Sequence, residues 1–198
     1  MSIGSAGRKG ALRAPFFARP AHAVAPDLLG ALLVSEVGGV RTSGRIVEVE
    51  AYDGPQDRTS HAFPGLTRRN APMFEAGGIA YVYLIYGMHH CLNIVTGSEG
   101  YPAAILLRAA ESPDGAVSAS GPGRLTRAFR VDRSMDGASL FGPDLWLEEG
   151  SPATDREVGR TARIGVGHAS AWSRRRFRFL IRSHPAVSGP RTLNRRAR

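Results

Sequence analysis

The sequence predicts an α+β fold: a single domain, a mainly antiparallel curved β-sheet with surrounding short helices. Three observations carry this reading. Apolar and polar residues alternate with period two in several short runs, as in strands with one buried face. Glycine-containing turns, at Gly38-Gly39 and Gly87-Met88, separate neighbouring runs as they do in hairpins. Helical signals are few and scattered, which disfavours a parallel βαβ layout.

In order along the chain, residues 1–14 are small and polar and read as a flexible N-terminal tail. Asp27 to Val34 reads as a short helix running into a strand, and Gly38-Gly39 turns the chain into a strand over 44–52. Residues 53–72, rich in glycine and proline, form a long loop of functional character. Ile79 to Tyr86 is strongly β, and His89 to Thr96 returns beside it after Gly87-Met88. Ala103 to Ala110 is a further strand, and Gly121-Pro-Gly opens a helix over Arg124 to Val131. Residues 132–160 are irregular apart from a strand near Leu145-Trp-Leu147. Arg176 to Arg182 alternates Phe177, Phe179 and Ile181 against Arg176, Arg178 and Arg182, a late strand with a basic outer face. One domain is expected over 15–183, followed by a basic loose C-terminal tail over 184–198.

The 198 residues are 42% hydrophobic, enough to bury a real core. The formal net charge is +9, and Lys9 is the only lysine, leaving 25 arginines. Arginine presents a rigid fork of donors that matches phosphate geometry, so a polyanionic partner, most often nucleic acid, is expected. The single cysteine, Cys91, excludes an intrachain disulfide and any thiol-based metal motif. No apolar run approaches a membrane span, and the N-terminal stretch is too interrupted by proline and charge for a signal peptide. No G-x-G-x-x-G follows a strand, so a dinucleotide site is not indicated.

The chemistry concentrates in Arg45-Ile-Val-Glu-Val-Glu-Ala-Tyr52. Val47 and Val49 share one face of this strand, and Glu48, Glu50 and Tyr52 the other. A strand has no packing reason to line a face with two carboxylates and a phenol. Tyr81 and Tyr83 share a face of the next run, and Tyr86 falls at a tight turn where it is easily presented. Asn93 stands in a strand, where asparagine is disfavoured. Arg108 interrupts an apolar run, which calls for a partner: a phosphate, or internally Glu48 or Glu111. His89-His90 do not make a metal site, because neighbours in a strand point to opposite faces.

Glu48-Val-Glu-Ala-Tyr52, His61, Arg69-Asn70, Met73-Phe74, Tyr81-Val-Tyr-Leu-Ile-Tyr-Gly-Met88, Asn93, Leu106-Leu-Arg108, Gly121-Pro-Gly-Arg-Leu125 and Gly165-Val-Gly-His168 together resemble the alkyladenine (3-methyladenine) DNA glycosylase family, the mammalian-type alkylpurine glycosylases. The resemblance runs from about Phe16 to about Arg182. It implies one α+β domain that excises damaged purines from double-stranded DNA, without metal or organic cofactor. Glu50 would be the general base, orienting and deprotonating a water. Tyr52, His61 and Tyr83 would wall the base pocket, and Asn93 would discriminate against the guanine amino group. Tyr86, with Met88 beside it, would be the wedge that enters the duplex. Arg108 and Arg69 would contact the DNA backbone. The loop over 62–69, with Phe63, Pro64 and Arg68, departs from the pattern in detail.

Glu48 and Glu50, two residues apart on a strand, lie roughly 7 Å apart, which disfavours proton sharing and leaves Glu48 a supporting role. Lys9 and a chain terminus are the only amines for Schiff-base chemistry, so a monofunctional hydrolase is expected. Two other readings remain at this point: a non-catalytic nucleic-acid-binding module, and a carbohydrate-directed glycosidase using both glutamates. A monomer in a bacterial cytoplasm is expected. The preferred lesion among alkylated adenines, hypoxanthine and etheno adducts stays open.

Overall fold

The computed structural model describes residues 8–112, 115, 118–167, 170–190, 192 and 194. Two short helices come first, α1 (Ala14–Phe17) and α2 (Ala21–Asp27). Then follow β1 (Leu32–Val37), β2 (Val40–Asp53), a 3-10 turn at Ala71–Phe74, β3 (Ala80–Ile85), β4 (His89–Val95) and β5 (Ala103–Glu111). β6 (Ser118–Ser120), α3 (Pro122–Ala128), a second 3-10 turn at Arg133–Met135, β7 (Leu145–Glu148), β8 (Val158–Thr161), α4 (Ala171–Arg174) and β9 (Arg178–Ile181) complete the described order. The expected α+β architecture is what forms, with the sheet curled and antiparallel throughout.

Strand order is β3-β4-β5-β2-β1-β7, with β6 on β5, β9 on β2 and β8 on β9. The 14-residue β2 is the spine of the sheet. One edge pairs with β5 from Arg45 to Asp53, while the other carries β1 up to Arg45 and then β9 over Glu48 to Glu50. The β2–β5 ladder contains two opposed irregularities. Val47 is an extra residue on β2 between the Ile46–Ala110 and Glu48–Ala109 pairs, and Arg108 an extra residue on β5 before the Val49–Leu107 pair. Each bulge re-aims the side chains that follow it. Ile46, Val47, Val49 and Ala51 therefore all join the main core, while Glu48, Glu50 and Tyr52 keep the opposite face.

The other central strands follow the same division. Ala80 and Val82, Leu92 and Ile94, and Ile105 and Leu107 pack into the main core beneath α2 and α3. Tyr81, Tyr83 and Ile85, Cys91 and Asn93, and Ala104, Leu106 and Arg108 face the other way. One row runs straight across four neighbouring strands: Glu50 opposite Leu106, Leu106 opposite Asn93, Asn93 opposite Tyr81.

Several elements differ from the sequence expectation. The first sizeable helix lies earlier, over Ala21–Asp27: Pro20 stands at its N-cap, and Pro26 in its last turn lacks the N–H that would bond back to His22. From Arg8 onward the amino-terminal segment is tied down, with Leu12 N–H donating to Leu147 O at 2.8 Å and the Arg8 guanidinium lying 4.0 Å from the Trp146 ring centroid. β8 falls in a stretch expected to be irregular. Arg178 does not belong to a basic outer face: it is wholly buried, and residues 184–190 fold back beside it.

Candidate active site

The pocket-facing residues of β2 to β5 floor a cavity of about 780 Å³, within the range of ligand sites. Its walls come from two loops. Residues 58–63 supply Arg58, Thr59, Ser60, His61 and Phe63, and residues 164–170 supply Ile164, Gly165, Val166, Gly167 and Ser170. His168 lies outside the described residues.

Glu50 is fully buried and stands directly behind this wall. Three donors hold it. Oε1 accepts the Ile164 backbone N–H at 2.7 Å, and Oε2 accepts the Tyr52 hydroxyl at 3.2 Å and Arg108 Nη1 at 3.3 Å. Tyr52, Arg108 and Ile164 all line the cavity, so the carboxylate is one side chain removed from it. Burial pushes the Glu50 carboxyl above its ordinary value of 4.5, with Arg108 and the Ile164 N–H partly opposing the rise.

Arg108 is itself nearly enclosed. Its Nε donates to Glu48 Oε1 at 2.8 Å, its Nη1 reaches Glu50, and its Nη2 donates to Ser188 Oγ at 3.2 Å. The internal ion pair left open by the sequence is therefore formed, and the guanidinium serves two carboxylates in place of an exposed phosphate-binding position. Glu48 gathers further donors: Arg178 Nε at 2.7 Å, the Ser188 N–H at 2.6 Å and the Ser188 hydroxyl at 3.0 Å. A buried carboxylate is tolerated only when so fully paired. Arg178 also donates to Thr161, to the Ser188 carbonyl and to Asn194. Glu48 thus braces Arg108 behind the cavity, and residues 184–190, expected to be loose, close the back of it through Ser188.

The aromatic residues meet as well. Tyr83 and His61 contact edge-to-face with ring centroids 4.5 Å apart, and Tyr81 lies 5.4 Å from Tyr83. His61 Nδ1 is 3.0 Å from the Tyr81 hydroxyl. Desolvation, with Arg69 nearby, lowers the His61 pKa, which keeps the ring neutral at pH 7. Burial raises the Tyr81 phenol to about 12, and raises Tyr83 and Tyr52 too, so all three remain protonated. Tyr52 is braced by Arg163, whose guanidinium lies 4.6 Å from its ring centroid while paired with Asp57 at 2.5 Å. Asn93 is buried, and its amide donates to the Tyr81 carbonyl at 3.0 Å. The exposed Arg69 guanidinium lies 5.6 Å from the Tyr83 ring.

At the rim, Tyr86 and Met88 sit on the β3–β4 turn, 83% and 70% exposed. Tyr86 has φ 52° and Gly87 φ 70°, the positive pair of a type I′ turn. A bulky residue held in this region and offered to solvent is strained, and such strain points to function.

Sequence reading brought Glu50, Tyr52, His61, Tyr83, Asn93 and Tyr86 to one place. It missed Arg163, Asp57, Ser188 and Ile164. The one available signal was Arg163, an arginine two positions before the Gly165-Val-Gly-His168 run. Nothing local marked Ser188 or the backbone N–H of Ile164.

Fold and site together define a single-domain DNA glycosylase: a basic chain whose sheet holds a carboxylate behind an aromatic cavity with a tyrosine at its rim. The family model described as Methylpurine-DNA glycosylase matches residues 15–185, and the chain belongs to that family. A protein of Anaeromyxobacter dehalogenans (strain 2CP-1) named "Putative 3-methyladenine DNA glycosylase" is 52% identical over 177 residues, 88% of this chain and 84% of the relative. Proteins of the same name from Myxococcus xanthus (49% over 179 residues, 88% of this chain and 92% of the relative) and Legionella pneumophila (42% over 175 residues, 88% and 96%) are also similar. Among the described residues no helix is long and apolar enough to cross a membrane.

Proposed function

We propose that this chain is a monofunctional glycosylase that takes alkylated or deaminated purines, 3-methyladenine among them, out of duplex DNA and hydrolyses the N-glycosidic bond with Glu50 activating water, leaving an abasic site. The observation that carries the reading is the placing of Glu50. Its three donors use three of roughly four acceptor positions on the carboxylate. Among the described residues the open one belongs to Oε1, and a water entering from the cavity side would be bound there.

A stacked base is out of reach, so the nucleotide must leave the duplex at a cost of a few kcal/mol. Damaged purines pair and stack poorly and leave more readily. In this reading Tyr52, His61 and Tyr83 embrace the extruded base, the Asn93 side chain meets its edge, and Tyr86 with Met88 fills the vacated space. As the base departs, positive charge develops on the sugar, and a carboxylate beside it stabilises that charge while taking the proton of the attacking water. Arg108 favours the charged form of Glu50 against the effect of burial and holds it in position. Arg69 at the rim is available to the DNA backbone. Lys9 is exposed and outside the cavity lining, so among the described residues no lysine lines the pocket to serve as the amine of strand cleavage.

The test is base release from methylated duplex DNA by wild type and Glu50→Gln. The variant is expected to bind damaged duplex with near wild-type affinity and to release no base. Full activity in Glu50→Gln would sink the assignment, and a covalent adduct trapped by borohydride would refute the monofunctional reading.

A further inference from the structure

Among the described residues, the three most exposed large apolar side chains are Tyr86, Met88 and Leu66. The first two belong to the hairpin already described. Leu66, 66% exposed, and Phe63, 47% exposed, belong to the loop that supplies His61 and Phe63 to the cavity wall, so apolar residues stand out on two separate elements around one opening. The loop is not loose. Asn70 is buried beneath it, donating from Nδ2 to the His61 carbonyl at 2.8 Å and the Gly65 carbonyl at 2.9 Å, and accepting the Thr67 N–H at 2.7 Å. Backbone bonds from Phe63 to Ser60, Gly65 to Ala62 and Asn70 to Thr67 add to this. An apolar side chain held out into water by so many polar constraints makes no folding contribution that explains it. Its surroundings are cationic: the Arg58 guanidinium lies 5.7 Å from the Phe63 ring centroid, and Arg68 and Arg69 follow as exposed residues.

We propose that this loop is a second DNA-engaging prong. Leu66 and Phe63 press against the sugars and base edges beside the extruded nucleotide, opposite the Tyr86–Met88 hairpin, while Arg58 and Arg68 meet the flanking phosphates. Apolar wedges flanked by arginine are how proteins hold a distorted duplex open, and the cations match the phosphate charge on either side. Gripping the strand from two elements keeps the everted state in place longer than a single wedge. This rests on the proposed base-extruding function, and its test is read on binding as well as on catalysis.

Affinity would be measured for a duplex carrying a tetrahydrofuran abasic analogue and for the matching single strand. Excision would be measured on a duplex with a single hypoxanthine. Leu66→Ser is expected to weaken duplex binding about tenfold, the worth of one buried leucine side chain, with little change on the single strand. Leu66→Met is expected to retain most of the affinity. Phe63→Ala supplies an independent second variant, and an unchanged unfolding midpoint verifies that each folds. Unchanged duplex affinity in both Leu66→Ser and Phe63→Ala overturns the proposal, as does an equal loss on duplex and single strand. If wild type releases no base, the proposed function falls, while the binding comparison still decides whether the loop grips DNA.

Discussion

Arg108 Nη1 lies 3.3 Å from Glu50 Oε2, and the same guanidinium donates to Glu48 from Nε. One cation therefore links the carboxylate proposed as the general base to a second, fully paired one. Its position as the extra residue of β5 gives it that reach.

The first prediction concerns pH. Glu50 is raised above 4.5 by burial. A carboxyl raised in the native state favours folding while protonated, and that contribution disappears as pH rises from its ordinary value through the native one. The proposed mechanism needs the carboxylate, so the rate is expected to climb across the same window. The acid limb of kcat/KM is expected above pH 4.5. Arg108→Ala removes the largest influence lowering Glu50 and should move the limb further up. A limb unmoved by Arg108→Ala would deny the coupling.

Tyr86→Gly separates function from stability. Tyrosine in the left-handed region costs about 1–2 kcal/mol, and this side chain buries little. The glycine variant should unfold at no lower temperature than wild type. Its excision from duplex should fall about tenfold, since a wedge at Tyr86, as proposed, would offset part of an unstacking cost of a few kcal/mol, with single-strand activity nearly kept. Equal rates on duplex would remove Tyr86 from the mechanism.

Ser188 tests the C-terminal segment. Ser188→Ala deletes the hydroxyl that donates to Glu48 and accepts from Arg108 but keeps the backbone donor. A cost of about 1–3 kcal/mol in chemical denaturation is expected for leaving those buried groups short of a partner. Truncation after residue 183 should cost more and lower base release; a truncation that leaves both unchanged would return these residues to the status of a dispensable tail.

Much of this was legible in the sequence, for local reasons. The period of a strand put Tyr81 and Tyr83 on the one face they share, and the break in an apolar run marked Arg108 as needing a partner, because both signals lie in adjacent residues. The remainder depended on distant partners. Arg178 alternates with Phe177 and Phe179 as an outward arginine would, and it turns inward to distant partners, above all Glu48, 130 positions away. Ser188 looks like tail until the same glutamate is seen to need its N–H. β8 is four residues long and exists because β9 offers an edge. Val47 as a bulge residue was hidden for the same reason, since a ladder irregularity is a property of two strands.

The row from Glu50 through Leu106 and Asn93 to Tyr81 is written in main-chain pairing, whereas the cavity mouth is written in the connecting segments. On the proposed function the general base and the Asn93 contact to the base edge are thereby held by strands, while the mouth is held by segments that can vary apart from them. Exchanging residues 58–69 between related enzymes, with Asn70 retained as their anchor, is a route to retuned damage preference with the hydrolytic apparatus left intact.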